Sequence, residues 1–279
     1  MEKILVPIDF SDCSRNALRT ASLFAEKFGS PIRLIHVIEP APERRSRRAI
    51  EDELKSELER EHQSAEEQLH ALAKEFSISD YSSVIKHGLV QKAIFEDLQE
   101  NPADLIIMGS HGSSGKHEYF IGSNTQKVIR QVRCKVLVVK KAIESLEFKN
   151  VVFASSFDQR EHDSLKRFRK FVEQFKPKVH LVFVNTDPFF GLPYGIIKDV
   201  MAEAKSYFEP LEVELHIKKD LSADQGIRHI SETISADLIG ISNYVRHPIK
   251  RIFSGSTVEA LVNHSDIPVL SIDYSAEGK

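Results

Sequence analysis

Glycine and serine residues are concentrated in the stretch MGSHGSSGKHEYFIGSNTQK, residues 108–127, directly after an apolar run. Gly109 and Gly112 carry no Cβ, so the backbone there can adopt a positive φ and approach a bulky ligand closely. Gly122 and Ser123 precede a helical pattern, and the start of a helix offers unpaired N–H groups and a partial positive charge. This combination could cradle a phosphate. It could equally be a strand-to-helix turn with an ordinary N-cap, and the loop composition does not decide between the two.

Short apolar runs alternate with longer segments of helical period in the first half of the chain. The runs are rich in Val and Ile, which is typical of buried strands, and the longer segments place apolar residues at i, i+3 and i+4. Such alternation predicts an α/β fold, a parallel sheet with helices on both faces. The predicted strands are residues 3–8, 32–38, 82–86, 104–108 and 135–139, and the predicted helices are residues 12–28, 44–76, 91–100 and 122–132.

The second half of the chain repeats the same plan. The tetrapeptide ADLI at residues 103–106 recurs at residues 236–239, and the same ungapped offset carries Gly122-Ser123 onto Gly255-Ser256. A single offset over a long stretch argues for an internal duplication. We therefore expect two tandem doubly wound, open, parallel five-stranded sheets with strand order 3-2-1-4-5, in domains that span residues 1–143 and 144–279.

Three candidate site positions follow strands that this fold would bring together. In an open parallel sheet, ligands bind beyond the carboxyl ends of the strands, where the strand order reverses. Asp9 follows the first predicted strand, Val37 lies near the end of the second, and Gly109 follows the fourth. With the order 3-2-1-4-5 the first and fourth strands are neighbours, so these positions would border one site.

The second repeat lacks three of the residues that would build this site. Ser156 stands in place of Asp9, Ser242 in place of Gly109 and Val245 in place of Gly112, whereas the Gly-Ser pair is kept. If the two glycines served folding alone, the second repeat would need them as well, so their replacement by Val in the first repeat should leave the fold intact. The comparison favours ligand binding in the first repeat and not in the second.

The spacing Gly109, two residues, Gly112, nine residues, Gly122-Ser123 resembles the ATP-binding signature of the universal stress proteins. The flanking segments are similar to the same family: a first strand that ends VPIDFS at residues 6–11, a second that ends His36-Val37, and the tail VRCKVLVV at residues 132–139. Together with the duplication, the resemblance covers essentially the whole chain, which looks like a tandem universal stress protein.

The resemblance implies a role for each matching position. ATP or a related adenine nucleotide, with or without Mg²⁺, would bind the first domain, and the second would be a degenerate copy with a structural or regulatory role. Asp9, with Pro7 and Ile8 beside it, would contact the adenosine, and Val37 would meet the adenine through its backbone. The ribose and the phosphates would lie against Met108, Gly109, Gly112, Gly122, Ser123 and Asn124.

The resemblance also bears on assembly. Members of this family commonly dimerise about the fifth strand, so residues 136–139 and 269–272 could pair within one chain as a pseudo-dimer. A homodimer of whole chains stays open, and protein partners of a stress-response or signalling protein are expected but unidentified.

Two other functions stay open beside nucleotide binding. Slow ATP hydrolysis would need a cation on the phosphates and a group that orients water, but no GxxxxGK[ST] loop places a lysine and no catalytic residue is predicted. A nucleotide-independent interaction scaffold is the other alternative, since Phe189, Phe190 and Tyr194 lie in a predicted loop and could form a partner surface.

Composition narrows the class of protein further. The net charge of −3 argues against nucleic acid as a partner, and no apolar run approaches the ~20 residues of a transmembrane helix. The N-terminus lacks the pattern of a secretory signal, so we expect a cytoplasmic protein. Two widely separated cysteines, and histidines without a third placed ligand, predict no metal site.

Overall fold

The chain folds as two α/β units built on parallel strands. The computed structural model describes residues 2–39, 51–111, 121–186, 193–244 and 257–274. Unit 1 comprises residues 1–132 and 140–144, and unit 2 comprises residues 133–139 and 145–279. The units differ from the sequence repeats by one strand, because residues 133–139, which contain the fifth strand of the first repeat, belong to unit 2.

Four strands and four helices make up the described part of unit 1. The strands are β1 (Ile4–Pro7), β2 (Ile32–Ile38), β3 (Tyr81–His87) and β4 (Leu105–Gly109), and the helices are α1 (Asp12–Phe28), α2 (Glu51–Glu75), α3 (Val90–Glu100) and α4 (Ser123–Gln131). The strands are parallel and lie in the order β3-β2-β1-β4. Every residue of β4 is buried, as expected of a parallel strand covered by helices on both faces.

Six strands and four α-helices make up the described part of unit 2. The strands are β5 (Lys135–Val139), β6 (Asn150–Ala154), β7 (Lys178–Asn185), β8 (Val213–Lys219), β9 (Leu238–Tyr244) and β10 (Val269–Tyr274), and the helices are α5 (His162–Val172), α6 (Tyr194–Ser206), α7 (Ala223–Thr233) and α8 (Thr257–His264). The strand order is β5-β10-β9-β6-β7-β8. Strand β5 runs antiparallel to β10, with Leu137 opposite Leu270, and the other pairings are parallel.

The predicted strand order agrees with both units. The parallel strands of unit 2 lie in the order β8-β7-β6-β9-β10, which is the predicted 3-2-1-4-5 order of the second repeat. Unit 1 shows the first four positions of that order. The fifth strand of the first repeat pairs with the fifth strand of the second, where residues 136–138 lie opposite residues 269–271.

The duplication is visible in the backbone as well as in the sequence. Phe10 and Phe157 follow β1 and β6 at the same distance, and both have a positive φ, of 63° and 57°. The pairing of Ile4 with Leu105 in unit 1 recurs as the pairing of Val151 with Leu238 in unit 2. These correspondences show which residues are equivalent, so that Glu161, four residues after Phe157, takes the place of Ser14, four residues after Phe10.

Some sequence-based expectations fall partly outside the described residues. The predicted helix at residues 44–76 is present as α2 from Glu51 onwards, whereas residues 40–50 lie outside. Phe189 and Phe190 also lie outside, but Tyr194 is the first residue of α6 and is 66% exposed, so it belongs to a helix and not to the predicted loop. Within the described ranges, no helix has the length and apolar character needed to cross a bilayer.

Candidate functional site

A cavity of about 280 Å³ lies beyond the carboxyl ends of β1, β2 and β4 in unit 1. Its lining includes nine of the ten residues that the sequence singles out, although they come from four separate segments of the chain. Gly112, the tenth, lies outside the described residues. The nine are Pro7, Ile8, Asp9, Val37, Met108, Gly109, Gly122, Ser123 and Asn124.

Asp9 is positioned by the tight turn between β1 and α1. Its Oδ1 accepts hydrogen bonds from the backbone N–H of Ser11 at 3.1 Å and from the Ser11 hydroxyl at 2.5 Å. Ser11 is in turn the N-cap of α1, because its Oγ accepts a hydrogen bond from the backbone N–H of Ser14. The positive φ of Phe10 turns the chain between the two. The carboxylate of Asp9 is therefore held at the edge of the cavity by the same bonds that start the helix.

Gly109 packs directly against the beginning of α1. An ideal Cβ at Gly109 would lie 2.7 Å from both the carbonyl carbon and the Cβ of Cys13, distances that real Cβ atoms essentially never show. Burial in this contact region raises the pKa of the Cys13 thiol. The sequence argument assigned Gly109 to ligand approach and expected Val to be tolerated there. The structure corrects this expectation, because the close approach of helix and strand also requires glycine.

The loop after β4 returns to the cavity at the start of α4. The backbone N–H of Gly122 donates to the carbonyl of Ser110 at 2.7 Å, and the hydroxyl of Thr125 donates to the carbonyl of Gly109 at 2.9 Å. Gly122 is the N-cap, as one member of the predicted Gly-Ser pair, and Ser123 is the first helical residue. The helix has no side-chain hydrogen bond at its cap. The first N–H groups of α4 have no partner within the helix, and they belong to residues that line the cavity.

Several cavity residues were not assigned to the site by the sequence. His36 is held by a hydrogen bond from its Nδ1 to the carbonyl oxygen of Ile8 at 2.7 Å, and its ring lies 4.7 Å from the ring of Phe10. Its position at the end of β2, beside Val37, could have indicated from the sequence that His36 lines the cavity. The other unassigned lining residues are Ser14, Ile35, Glu39, Val90, His111 and Thr125.

The described lining contains carboxylates and imidazoles, but it contains neither lysine nor arginine. Lys127 lies on α4 outside this lining, and Lys116, between β4 and α4 in the sequence, lies outside the described residues. Within the described part, phosphate groups would therefore meet the N–H groups and the dipole of α4 and no fixed cationic side chain.

Unit 2 has a cavity at the equivalent place, with a volume of about 270 Å³. Glu161 lies in its lining and is only 7% exposed. Its carboxylate accepts hydrogen bonds from the hydroxyls of Ser156 at 2.9 Å and Ser242 at 2.7 Å, from the backbone N–H of Ser156 at 3.2 Å, and from the hydroxyl of Ser155. The counterparts of Gly112, Gly122 and Ser123 lie outside the described residues.

Comparison with known proteins relates the chain to one family. The model of the universal stress protein family matches residues 1–140. Universal stress protein MJ0531 from Methanocaldococcus jannaschii is 33% identical over a match that covers 50% of this chain and 82% of the relative. Universal stress protein Slr1230 from Synechocystis sp. is 24% identical over 97% of this chain and 99% of the relative, so the likeness extends over both repeats.

A solved structure has the same fold over nearly the whole length. The universal stress protein from Archaeoglobus fulgidus DSM 4304 superimposes with a TM-score of 0.78 at 21% identity, covering 99% of this chain and 98% of that one. At this identity the likeness concerns the fold and its tandem arrangement.

Proposed function

The chain belongs to the universal stress protein family, and from this premise we propose that unit 1 binds ATP or a related adenine nucleotide in the cavity beyond β1, β2 and β4. One observation carries the proposal: residues more than a hundred positions apart, singled out by sequence motifs and by the family resemblance, line one cavity. The protein would act as a nucleotide-responsive module in a stress or signalling response, with unit 2 in a structural or regulatory role.

The geometry supports different contact residues for the phosphates and for the adenosine. The phosphates would lie at the start of α4, where the N–H groups of Ser123 and Asn124 have no partner within the helix and the dipole has its positive end. Asp9 and Val37 belong to the same lining and would contact the adenosine, as the family resemblance implies. A carboxylate beside the ribose hydroxyls would act as a hydrogen-bond acceptor, as in other nucleotide sites on doubly wound sheets.

Binding is favoured over hydrolysis. An efficient hydrolase places a cation on the phosphates and a group that orients water. The described lining offers no lysine or arginine for the first task. We therefore propose that the nucleotide acts as a bound signal, and that any Mg²⁺ would arrive with its phosphates.

The pairing of β5 with β10 supports a further part of the proposal. Family members commonly associate through their fifth strands, and here the two fifth strands of one chain pair with each other. We propose that this pairing makes the chain a pseudo-dimer of its own two repeats.

Calorimetric titration of the nucleotide-free full chain with ATP tests the proposal. We expect one site per chain. Replacing Asp9 by Asn should weaken the affinity at least tenfold, because a hydrogen bond to a charged group contributes about 1.5–3 kcal/mol. Ser156→Ala, at the equivalent position of unit 2, is the matched control and should leave the affinity unchanged. Two equal sites, or no binding, would contradict the proposal.

A further inference from the structure

Two histidines and a glutamate meet on neighbouring strands of unit 2, near the beginnings of β7 and β8 and away from the cavity at the ends of the strands. His180 on β7 pairs in register with Glu214 on β8, and His216 lies two residues further along β8. Because side chains alternate between the faces of a strand, Glu214 and His216 lie on the same face. One ligand atom from each of the three residues lies within 4.8 Å of the others.

The separations within this cluster match the size of a small metal ion. His180 Nδ1 and His216 Nε2 are 2.9 Å apart, and the carboxylate oxygens of Glu214 lie 3.7 Å from His216 Nε2 and 3.9 Å from His180 Nδ1. Ligands held at ~2.1 Å around a tetrahedral ion such as Zn²⁺ lie roughly 3.4 Å apart. The 2.9 Å separation of the two rings and the 3.7 Å separation between His216 and Oε1 of Glu214 bracket that value. The 3.9 Å separation from His180 is to the other oxygen, Oε2, of Glu214.

Asn150 orients His180 in the manner typical of metal ligands. The Nε2 of His180 lies 3.4 Å from the Oδ1 of Asn150. With the proton on Nε2, the Nδ1 atom carries a lone pair that points into the cluster. In the absence of a metal, the His216 Nε2–H group can donate to that lone pair. A metal would replace this proton, which moves to Nδ1 of His216, so that the ring stays neutral.

The charges of the cluster suit a cation at neutral pH. Burial lowers the pKa of both His180 and His216, so both rings are neutral, and a hydrogen bond from Lys178 lowers the pKa of Glu214. Lys178 donates to Oε2 of Glu214 at 2.9 Å and to Glu212 at 3.0 Å. The other oxygen, Oε1, faces His216, so Glu214 has one oxygen for the lysine and one for a metal.

The fold does not require this cluster. The strand registers show that Arg33, Ser82 and Val84 occupy the equivalent positions of unit 1. Arg33 is paired with Asp97 there, as an ordinary ion pair. The three ligating side chains are therefore a property of unit 2 alone.

We propose that His180, His216 and Glu214 form a binding site for a divalent transition metal of the zinc type, with water completing the coordination on the exposed side. Two imidazoles and one carboxylate form a donor set that favours Zn²⁺ over Ca²⁺ or Mg²⁺, which prefer oxygen ligands only. The sequence predicts no metal site, because the third ligand is brought in by strand pairing and not by spacing along the chain.

Titration of the chelator-treated full chain with Zn²⁺ at pH 7.5, followed by calorimetry, tests the proposal. We expect one equivalent to bind and the unfolding temperature to rise with Zn²⁺ concentration. Co²⁺ should give visible absorption bands of a four- or five-coordinate site. His216→Ala should weaken binding more than 100-fold, beyond the ~10–100-fold effect of losing an outer-shell partner.

Three further variants make the test decisive. His229→Ala removes an exposed histidine from α7 and should leave the affinity unchanged. Glu214→Gln keeps a hydrogen-bond acceptor for Lys178 but should weaken Zn²⁺ binding at least tenfold, and Lys178→Met should strengthen it several-fold by removing a like charge. The proposal is overturned if no Zn²⁺ binds, or if His216→Ala and Glu214→Gln both bind it like the parent chain.

Discussion

The two cavities lie at the same place in two copies of one fold, but their carboxylates differ in position and burial. In unit 1, Asp9 is held at the edge of the cavity by the turn that starts α1. In unit 2, Glu161 is buried and satisfied by donors from the protein itself. A buried carboxylate needs such donors to offset its lost hydration.

The residues that differ between the two cavities form hydrogen bonds with one another in unit 2. Ser156 and Ser242, which replace Asp9 and Gly109, both donate hydroxyl hydrogen bonds to Glu161, which replaces Ser14. The helix start has changed with them: a 3₁₀ turn at Gln159–Glu161 precedes α5, whereas α1 begins directly at Asp12. Unit 2 therefore has an internal hydrogen-bond network at the place where we propose a ligand site in unit 1.

Transferring the buried glutamate to unit 1 should have the largest effect on this comparison. Ser14→Glu places a carboxylate in the lining of the first cavity, beside Asp9 and the expected phosphates. Like charges in such a site cost several kcal/mol, so we expect ATP affinity to fall more than 100-fold. The fold should persist, because unit 2 holds Glu161 at the equivalent position.

Calorimetry with ATP measures this loss, and Ser14→Gln is the control. Gln has nearly the same shape without the charge, so it should lose much less affinity than Glu. Equal affinities of the Glu variant and the parent chain would show that Ser14 does not face the nucleotide.

Adding one methyl group at Gly109 should have the next largest effect. Gly109→Ala forces the Cβ against the backbone of Cys13, and such overpacking costs about 1–3 kcal/mol of unfolding free energy. Urea unfolding of the full chain measures it. Gly195→Ala, where the new methyl group meets nothing within 4 Å, should be neutral or slightly stabilising. If the Gly109→Ala variant is as stable as the parent chain, the packing against Cys13 does not require glycine at this position.

Acid should destabilise the β7–β8 edge of unit 2, with the smallest of the three effects. His180 and His216 have folded-state pKa values below the ordinary 6.5 because they are buried. The unfolded chain then binds more protons, so stability is greatest above pH 6.5 and falls as the pH is lowered from 6.5 through the folded-state values. We expect a loss on the order of 1 kcal/mol.

Amide hydrogen exchange with chelator present can resolve this loss by strand. Protection should fall between pH 7.5 and 5.5 in β7 and β8 more than in β2 and β3 after correction for intrinsic rates. The equivalent positions of unit 1 hold Arg33, Ser82 and Val84, residue types that do not titrate in this range. Because β2 and β3 carry His36 and His87 near their carboxyl ends, the comparison uses the amides at the beginnings of the four strands. Equal pH dependence in the two strand pairs would remove the histidine pair as the cause.

The sequence predicted the parts of the molecule that depend on pattern. The alternation of apolar runs predicted the parallel strands and the helices between them, and the offset between repeats showed that Ser156 and Ser242 replace Asp9 and Gly109. The glycine spacing and strand ends were enough to select residues that line one cavity, because parallel strands end at one edge of the sheet.

The remaining features depend on approach in three dimensions. Glu161 lies on a helical turn. Its role as a hydrogen-bond acceptor is visible only in the structure, where the hydroxyl of Ser242 on β9 lies 2.7 Å from its carboxylate. The contact of Gly109 with Cys13 depends on how closely a helix packs on a strand, which no spacing encodes. The pairing of His180 with Glu214 depends on strand register in the same way.

The position of β5 in unit 2 affects what happens when the chain is divided between its two sequence repeats. The genetic repeat ends after β5, but the strand pairs with β10 and belongs to unit 2. A fragment cut at the repeat boundary, residues 144–279, would leave the apolar edge of β10 without its partner, and such edges promote association with other chains. Recombination at that boundary would therefore produce a chain whose β10 edge is exposed and can pair with a second copy.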